Sequence, residues 1–195
     1  MDEKVQGPKD EQRSRAAVVS NDLVFRMRGE WRDRIFRAGE LVEDSGWRPN
    51  QIQNSDALLL AHLMKNTVGQ AGILYFAYGT GLVSWDASPP TLDPGDTTLV
   101  TEVLRQAVPI ANITFRDPST YVDIDPTPSN VIEVEMVLTS GEANGSSLRE
   151  FGIFGGDASG AGDSGYMVNW VRHGRIDKDS TMTIQRSVRF TFEVV

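Results

Sequence analysis

The side chains that could do chemistry are few and widely spaced along this chain. It has no cysteine and only two histidines, His62 and His173, which excludes disulfides, thiolate zinc sites and cysteine catalysis. The tetrapeptide Gly162-Asp163-Ser164-Gly165 matches a serine-protease signature, but a catalytic triad also needs a histidine and an aspartate placed around it. His62 is the only histidine that precedes this motif, and it falls in a predicted helix. We therefore do not expect proteolysis.

Two pairs of carboxylates are the next candidates for a metal site or for catalysis. Asp123 and Asp125 stand in an acidic loop, VDIDPTP, which lacks the ligand spacing of an EF-hand calcium site. Glu133 and Glu135 lie two apart on a predicted strand, so they share one face, as a glycosidase pair would. An exposed strand face explains them equally well. A hydrolase built on either pair stays an alternative, but we predict no enzyme, no cofactor and no metal site.

Aromatic and basic residues are the better candidates for contacts with a partner. Tryptophan and arginine are enriched in the buried centres of protein interfaces, and tryptophan also stacks on sugar rings. The candidate interface residues are Trp31, Trp47, Trp85, Trp170, Arg149 and Phe151.

Charge and hydropathy argue against two classes of partner, nucleic acids and membranes. The 195 residues carry a net charge of −8, and all of it comes from 51–195, where nine Lys and Arg face seventeen Asp and Glu. An acidic body does not favour nucleic-acid binding, whose affinity depends on neutralising phosphates. No apolar run approaches the ~18 residues that a membrane span requires, and the polar first twenty residues show no signal peptide. We expect a soluble protein made in a cytoplasm.

The chain divides into an arm and one β-rich domain. Residues 1–20 are charged and lack apolar periodicity, which predicts an extended N-terminal arm. Residues 21–195 are predicted to form the domain, with a strand meander and a helix over 21–67 and a sandwich core over 68–195.

The opening part of the domain alternates apolar and polar residues. The pattern predicts a strand from Asn21 that breaks at Gly29-Glu30 and a second strand over 31–36, together a small antiparallel meander. A helix capped by Asn54 or Ser55 follows.

The rest of the domain is almost entirely β in pattern, at the spacing of a sandwich. A buried strand is predicted over 73–78. The spacing of Thr98 and Glu102, close to that of a capping box, predicts a second short helix over 97–106. The remaining candidate strands are 107–116, 130–139, 148–154, 165–173 and 181–194. The fold class predicted is therefore mainly β: an antiparallel β-sandwich with two short helices and an extended N-terminal arm.

Four segments in this order resemble a known family. VGQAGILYFAYGTG from Val68 is followed by a proline-rich loop and DTTLVTEVLRQAV from Asp96. GEANGSSLREFGIFGGDASG from Gly141 and VRHGRIDKDSTMTIQRSVRFTF from Val171 complete the pattern. Together they resemble bacteriophage tail proteins over about two thirds of the chain. Trp170 departs from the family pattern, which has an aliphatic strand there, and is a candidate interface aromatic.

The resemblance implies a virion component of the tail, in the baseplate or the tail-fibre attachment region. It implies a non-enzymatic structural role, made in the host bacterial cytoplasm, with other phage tail proteins and copies of the same chain as partners. Because such assemblies are symmetric, we expect a trimer or a hexamer ring. A receptor- or carbohydrate-binding module of the tail and a head or neck decoration protein are the alternatives.

Overall fold

A computed structural model describes residues 25–194 of the chain. The predicted arm over 1–20 and the start of the first predicted strand, over 21–24, lie outside the described residues.

Alternating apolar and polar residues build two antiparallel sheets, which we call sheet A and sheet B. The strands of sheet A are β1 (Phe25–Arg37), β2 (Glu40–Asp44), β3 (Arg48–Pro49), β7 (Ile113–Phe115), β8 (Val131–Leu138) and β11 (Met182–Val194). They run in the order β2-β1-β11-β8-β7, and β3 also pairs with β1.

The strands of sheet B are β4 (Gln51–Ile52), β5 (Ala71–Gly79), β6 (Glu102–Ala107), β9 (Ser147–Gly156) and β10 (Tyr166–Asp177). Their order is β4-β10-β9-β5-β6. One α-helix, α1 (Ser55–Met64), and two short 3₁₀ turns, Val83–Asp86 and Ile110–Asn112, complete the described elements.

The sheets pack face to face over a single apolar core, so the predicted β-sandwich is confirmed. The largest fully buried apolar side chains of the core are Phe76, Tyr78, Leu138, Leu148, Phe151, Ile153, Ile184 and Phe190. A second apolar cluster lies on the outer face of sheet B, under the connection 80–101, and contains Ala77, Trp85, Leu99, Phe154, Ala158, Met167 and Trp170. That connection positions most of the site described below.

The second predicted helix is wrong. The second half of the predicted range belongs to strand β6, Glu102–Ala107, which pairs with the edge of β5. Glu102 is not a capping residue there, because its carboxylate holds the Arg105 guanidinium at 2.7 Å. Pairing with a neighbouring strand outweighed a local capping signal, as tertiary context often does.

The predicted break at Gly29-Glu30 is also wrong, because β1 continues through it and pairs with β11 along its whole length. Gly29 leaves room for a neighbouring side chain: a Cβ at this position would lie 1.9 Å from the Asn50 side-chain oxygen, so Asn50 would have to move. The opening segment is a hairpin with β2 and β3 on one edge of β1, not a meander. Through β1 it belongs to the same sandwich as the later strands.

The remaining strand predictions largely agree with the structure. The predicted strand over 73–78 lies within β5, and the predictions over 130–139, 148–154, 165–173 and 181–194 correspond to β8, β9, β10 and β11. The predicted strand over 107–116 is interrupted by the 3₁₀ turn Ile110–Asn112, so it contains only the last residue of β6, Ala107, and the short strand β7.

Candidate functional site

A buried carboxylate, Glu150, fixes the connection 80–101 to sheet B. Its Oε1 accepts hydrogen bonds from the backbone N–H groups of Gly81 and Thr101, at 3.1 and 2.9 Å. Its Oε2 accepts one from the Val100 N–H at 3.2 Å and one from the Trp170 indole at 2.9 Å. Glu150 is fully buried, and these four donors replace the water that its carboxylate gives up.

The neighbouring residue, Arg149, holds the same connection by a different contact. Its Nε and Nη2 donate to the two carboxylate oxygens of Asp86, at 2.7 and 2.8 Å, a bidentate pair of the strongest kind. Its Nη1 also donates to the carbonyls of Thr80 and Ser147, at 3.1 and 3.0 Å. The hydrogen bonds with Asp86 raise the pKa of Arg149 and lower that of Asp86. Arg149 and Glu150 together thus anchor this connection to sheet B.

Beside this anchor lies an open cavity of about 830 Å³, which we call the arginine groove. The residues that define it are Arg48, Arg149, Arg172, Arg175, Trp31 and Trp85. Arg48 comes from β3, Arg172 and Arg175 come from β10, and Trp85 comes from the 3₁₀ turn of the connection 80–101. Its volume is in the range of small-molecule sites.

The inner end of the arginine groove reaches a buried polar cluster. A smaller cavity of about 160 Å³ shares Trp31, Arg48 and His173 with the groove and is also lined by Asp33. The Arg186 guanidinium donates to both Asp33 oxygens, from Nε at 2.6 Å and from Nη2 at 2.5 Å. The two partners are almost completely buried, at 0% and 5% exposure of their side chains.

His173 completes this cluster as a neutral ring. Its Nε2 accepts a hydrogen bond from Arg186 Nη2 at 3.2 Å, and its Nδ1 donates to the Gly174 carbonyl at 2.7 Å. Burial, followed by the charge of Arg186, lowers the pKa of His173 to about 4. The ring is uncharged near neutral pH and can accept a proton only by giving up its contact with Arg186.

The structure brings together five of the six candidate interface residues. Trp31, Trp85 and Arg149 line the arginine groove. Phe151 packs under Trp31, with ring centroids 5.7 Å apart, and Trp170 packs against Trp85 at 6.2 Å. All five are buried within the chain, so they offer a partner almost no free surface. With Trp31 and Trp85 exposed by only 5% and 8%, little of either ring is left for stacking on a sugar.

The sixth candidate, Trp47, lies elsewhere, on the outer face of sheet A. The Arg189 guanidinium is sandwiched there between the Trp47 and Tyr121 rings, 3.9 Å from each centroid. Arg189 also donates to Glu133 Oε2 from Nη2 at 2.8 Å. Trp47 thus covers a buried ion pair.

Three of the four carboxylates that suggested a hydrolase, Glu133, Glu135 and Asp123, form ion pairs. Glu133 is bound by Arg189 at 2.8 Å and by Arg116 at 3.1 Å, whereas Glu135 lies 3.5 Å from Arg34. Asp123 lies 3.5 Å from Arg116. Within residues 25–194, no group of three histidine, aspartate or glutamate side chains is placed to hold a metal ion.

The serine-protease tetrapeptide is a loop-forming sequence. The Ser164 hydroxyl donates to the Ala161 carbonyl at 2.8 Å. His62 lies on α1 and contacts Thr67 and the Tyr166 hydroxyl, each at 3.2 Å. Its two ring nitrogens are therefore engaged by residues other than Ser164.

A second cavity, of about 410 Å³, has an almost entirely apolar lining, and we call it the apolar groove. Its lining includes Met27, Leu59, Leu63, Ile73, Ile110 and Phe192. Ile110 is 83% exposed, and Phe25, stacked on Phe192 at 6.2 Å, is 56% exposed. Asp56 also lines the groove, and burial raises the pKa of its carboxyl to about 6.

Sequence reasoning did not single out three arginines of the groove, Arg48, Arg172 and Arg175, and named His173 only as one of two histidines. The run VRHGR over 171–175 was a usable signal, because it concentrates basic residues at one end of a predicted strand. The pairing of Asp33 with Arg186 had no such signal, since 153 positions separate the two residues.

No protein-family model matches the chain, and no curated protein matches it significantly. The resemblance to bacteriophage tail proteins therefore stays a prediction that rests on the four sequence segments. No helix among residues 25–194 is long and apolar enough to cross a membrane.

Proposed function

We propose that the chain is a non-enzymatic structural component of a bacteriophage tail, in the baseplate or tail-fibre attachment region. In this proposal it assembles with copies of itself, as a trimer or a hexamer ring, and with other tail proteins in the virion. The order of the four sequence segments supports the family, and a β-sandwich is compatible with it. Fold alone does not determine function, so the argument depends on the surface.

The observation that carries the proposal is the apolar groove and its exposed rim. Two large apolar side chains there face solvent: Ile110, which lines the groove, is 83% exposed, and Phe25, which stacks on the lining residue Phe192, is 56% exposed. An exposed apolar patch of this kind marks a contact with another protein more often than a free surface.

The backbone beside this groove shows which kind of contact is available there. Ile113, which lines the groove, begins β7, the last strand of sheet A. The outward backbone groups of β7 are already used within the chain, because the Phe115 carbonyl accepts from the Ile124 N–H at 3.1 Å and the Ile113 N–H donates to the Ile110 carbonyl. A second copy would therefore bind by burying the apolar rim, not by adding a strand to sheet A.

The buried carboxylates of the chain also favour a structural role. Glu133, Glu150 and Asp33 each make short contacts that hold strands or loops together. In this proposal their charges serve the stability of the sandwich.

The proposal is tested by locating the protein in particles. Antibodies against the purified chain should label the tail in electron micrographs of phage particles released by the bacterium that carries its gene. Label on the head or neck would favour a decoration protein instead. Particles of full protein content that contain none of this chain would overturn the proposal.

A further inference from the structure

The arginine groove has an excess of positive charge in an otherwise acidic chain. Four arginines line it, against one carboxylate, Asp86. Asp86 already accepts two hydrogen bonds from Arg149 and lies 3.8 Å from Arg175. His173 adds no charge near neutral pH, because its pKa is lowered to about 4.

Two of these arginines have no carboxylate partner within residues 25–194. Arg48 donates from Nε to the Ser45 carbonyl at 3.1 Å, and its guanidinium lies 5.9 Å from the Trp31 ring. It forms no ion pair in the described part of the chain.

The charge of Arg172 has fewer compensating contacts than that of Arg48. Its Nη1 is buried and has no hydrogen-bond partner among residues 25–194, an arrangement that is costly unless something satisfies it. The residue opposite it on the neighbouring strand is Glu150. Both Glu150 oxygens already accept hydrogen bonds from the connection 80–101 and from Trp170.

We propose that the arginine groove is a binding site for an oxyanion, a carboxylate or phosphate group of a small multivalent anion, held between Arg48 and Arg172. A guanidinium presents paired N–H donors that match both kinds of oxyanion. Trp31, Trp85 and Pro89 form apolar walls, and low-dielectric walls strengthen attraction between charges. The site is distinct from the apolar groove and does not depend on the tail role.

Isothermal titration calorimetry of the full chain with citrate and, separately, with inorganic pyrophosphate tests this site. We expect at least one of these anions to bind, more weakly as salt concentration rises because salt screens exposed charges. Whichever binds more tightly identifies the carboxylate or the phosphate as the preferred group. Arg48→Gln and Arg172→Gln should each weaken binding about tenfold or more, since each removes a charged hydrogen-bond donor.

Arg28→Gln is the matched control, because it removes the same charge from β1 at a side chain that is 46% exposed and outside the groove. Its affinity should equal that of the unchanged protein. If Arg172→Gln does not fold, the exposed Arg48 still tests the site. Absence of binding by both anions at millimolar concentration, or an equal loss in Arg28→Gln, would overturn the proposal.

Discussion

At the scale of single residues, Glu150 shows how a buried charge becomes a structural anchor. Two backbone donors meet its Oε1, and the Val100 N–H and the Trp170 indole meet its Oε2. A glutamine in its place would keep one acceptor oxygen and turn an amide NH₂ toward two of these donors.

We therefore predict that Glu150→Gln lowers the free energy of unfolding by about 2–3 kcal/mol, because it leaves buried donors unsatisfied. Urea denaturation followed by tryptophan fluorescence measures the change. Glu40→Gln, at an exposed position on β2, is the control and should change stability by less than about 0.5 kcal/mol. Equal stability of the two variants would contradict the anchoring role.

Asp56 and His173 make the free energy of unfolding depend on pH in opposite directions. Because the pKa of Asp56 is raised to about 6, its contribution favours the folded state more as pH falls from about 6 to 4. The pKa of His173 is lowered to about 4. Its contribution to the free energy of unfolding is therefore fully present above about pH 6.5 and is lost as pH falls toward 4. The two effects partly cancel in the intact protein.

Asp56→Asn should separate these effects. We expect the variant to be about 2–3 kcal/mol more stable than the unchanged protein at pH 7, because the buried charge is gone. The difference should shrink as pH falls from 6 toward 4 and vanish near pH 3, below both the unperturbed pKa of 3.8 and the folded pKa of about 6. Denaturation at several pH values measures it, with the exposed Asp157→Asn as control. A difference that does not vary with pH would contradict the assignment.

The residues that form the arginine groove were only partly predictable from the sequence. Trp31, Trp85 and Arg149 were singled out by residue type, and they do lie together at the arginine groove. Their burial could not be deduced, because it depends on the connection 80–101, which has little regular structure. Arg48 carried no distinguishing signal, and only the folded chain shows that Arg48 and Arg172 lack carboxylate partners among residues 25–194.

At the scale of elements, the alternation of apolar and polar residues predicted strands well where one face of the strand packs on the core and the other is polar. β11 is the best example, since Ile184, Val188 and Phe190 face the core and alternate with polar residues. The failures, at Gly29-Glu30 and over 97–106, have a common cause. In both, pairing with a neighbouring strand decided the structure, and pairing partners are distant in sequence.

The connection 80–101 is the element whose attachment can be tested alone. Arg149→Met removes its bidentate contact with Asp86 and leaves the core between the sheets in place. We expect limited proteolysis to cleave within 80–101 about tenfold faster, as local opening becomes easier. Arg37→Met, which breaks an exposed ion pair with Asp179, is the control. Cleavage at the same rate in both variants would contradict this attachment.

At the scale of the whole molecule, the pair Asp33–Arg186 joins the two sheets. Both residues lie in sheet A, yet the Arg186 guanidinium lies 4.0 Å from the Phe151 ring of sheet B and contacts His173 of β10. Cation–π contact and the ion pair together compensate a charge that is fully buried. The two layers are therefore linked by polar contacts as well as by apolar packing.

The two cavities divide the surface into a charged and an apolar region. Binding at the arginine groove is expected to weaken as salt increases, because it depends on charge. Association through the apolar groove is expected to persist in salt, because burial of apolar area is its driving force. Salt dependence thus distinguishes the two sites in the intact protein.

The mass of the purified chain in solution, measured by light scattering, tests assembly most directly. We predict a trimer or a hexamer, against 21.5 kDa for one chain, that dissociates in the variant Ile110→Glu because it places a charge in the apolar groove. Val122→Glu, at a position that is 60% exposed and outside this groove, should keep the assembly. A monomer at all concentrations, or an assembly unaffected by Ile110→Glu, would contradict self-association through the apolar groove.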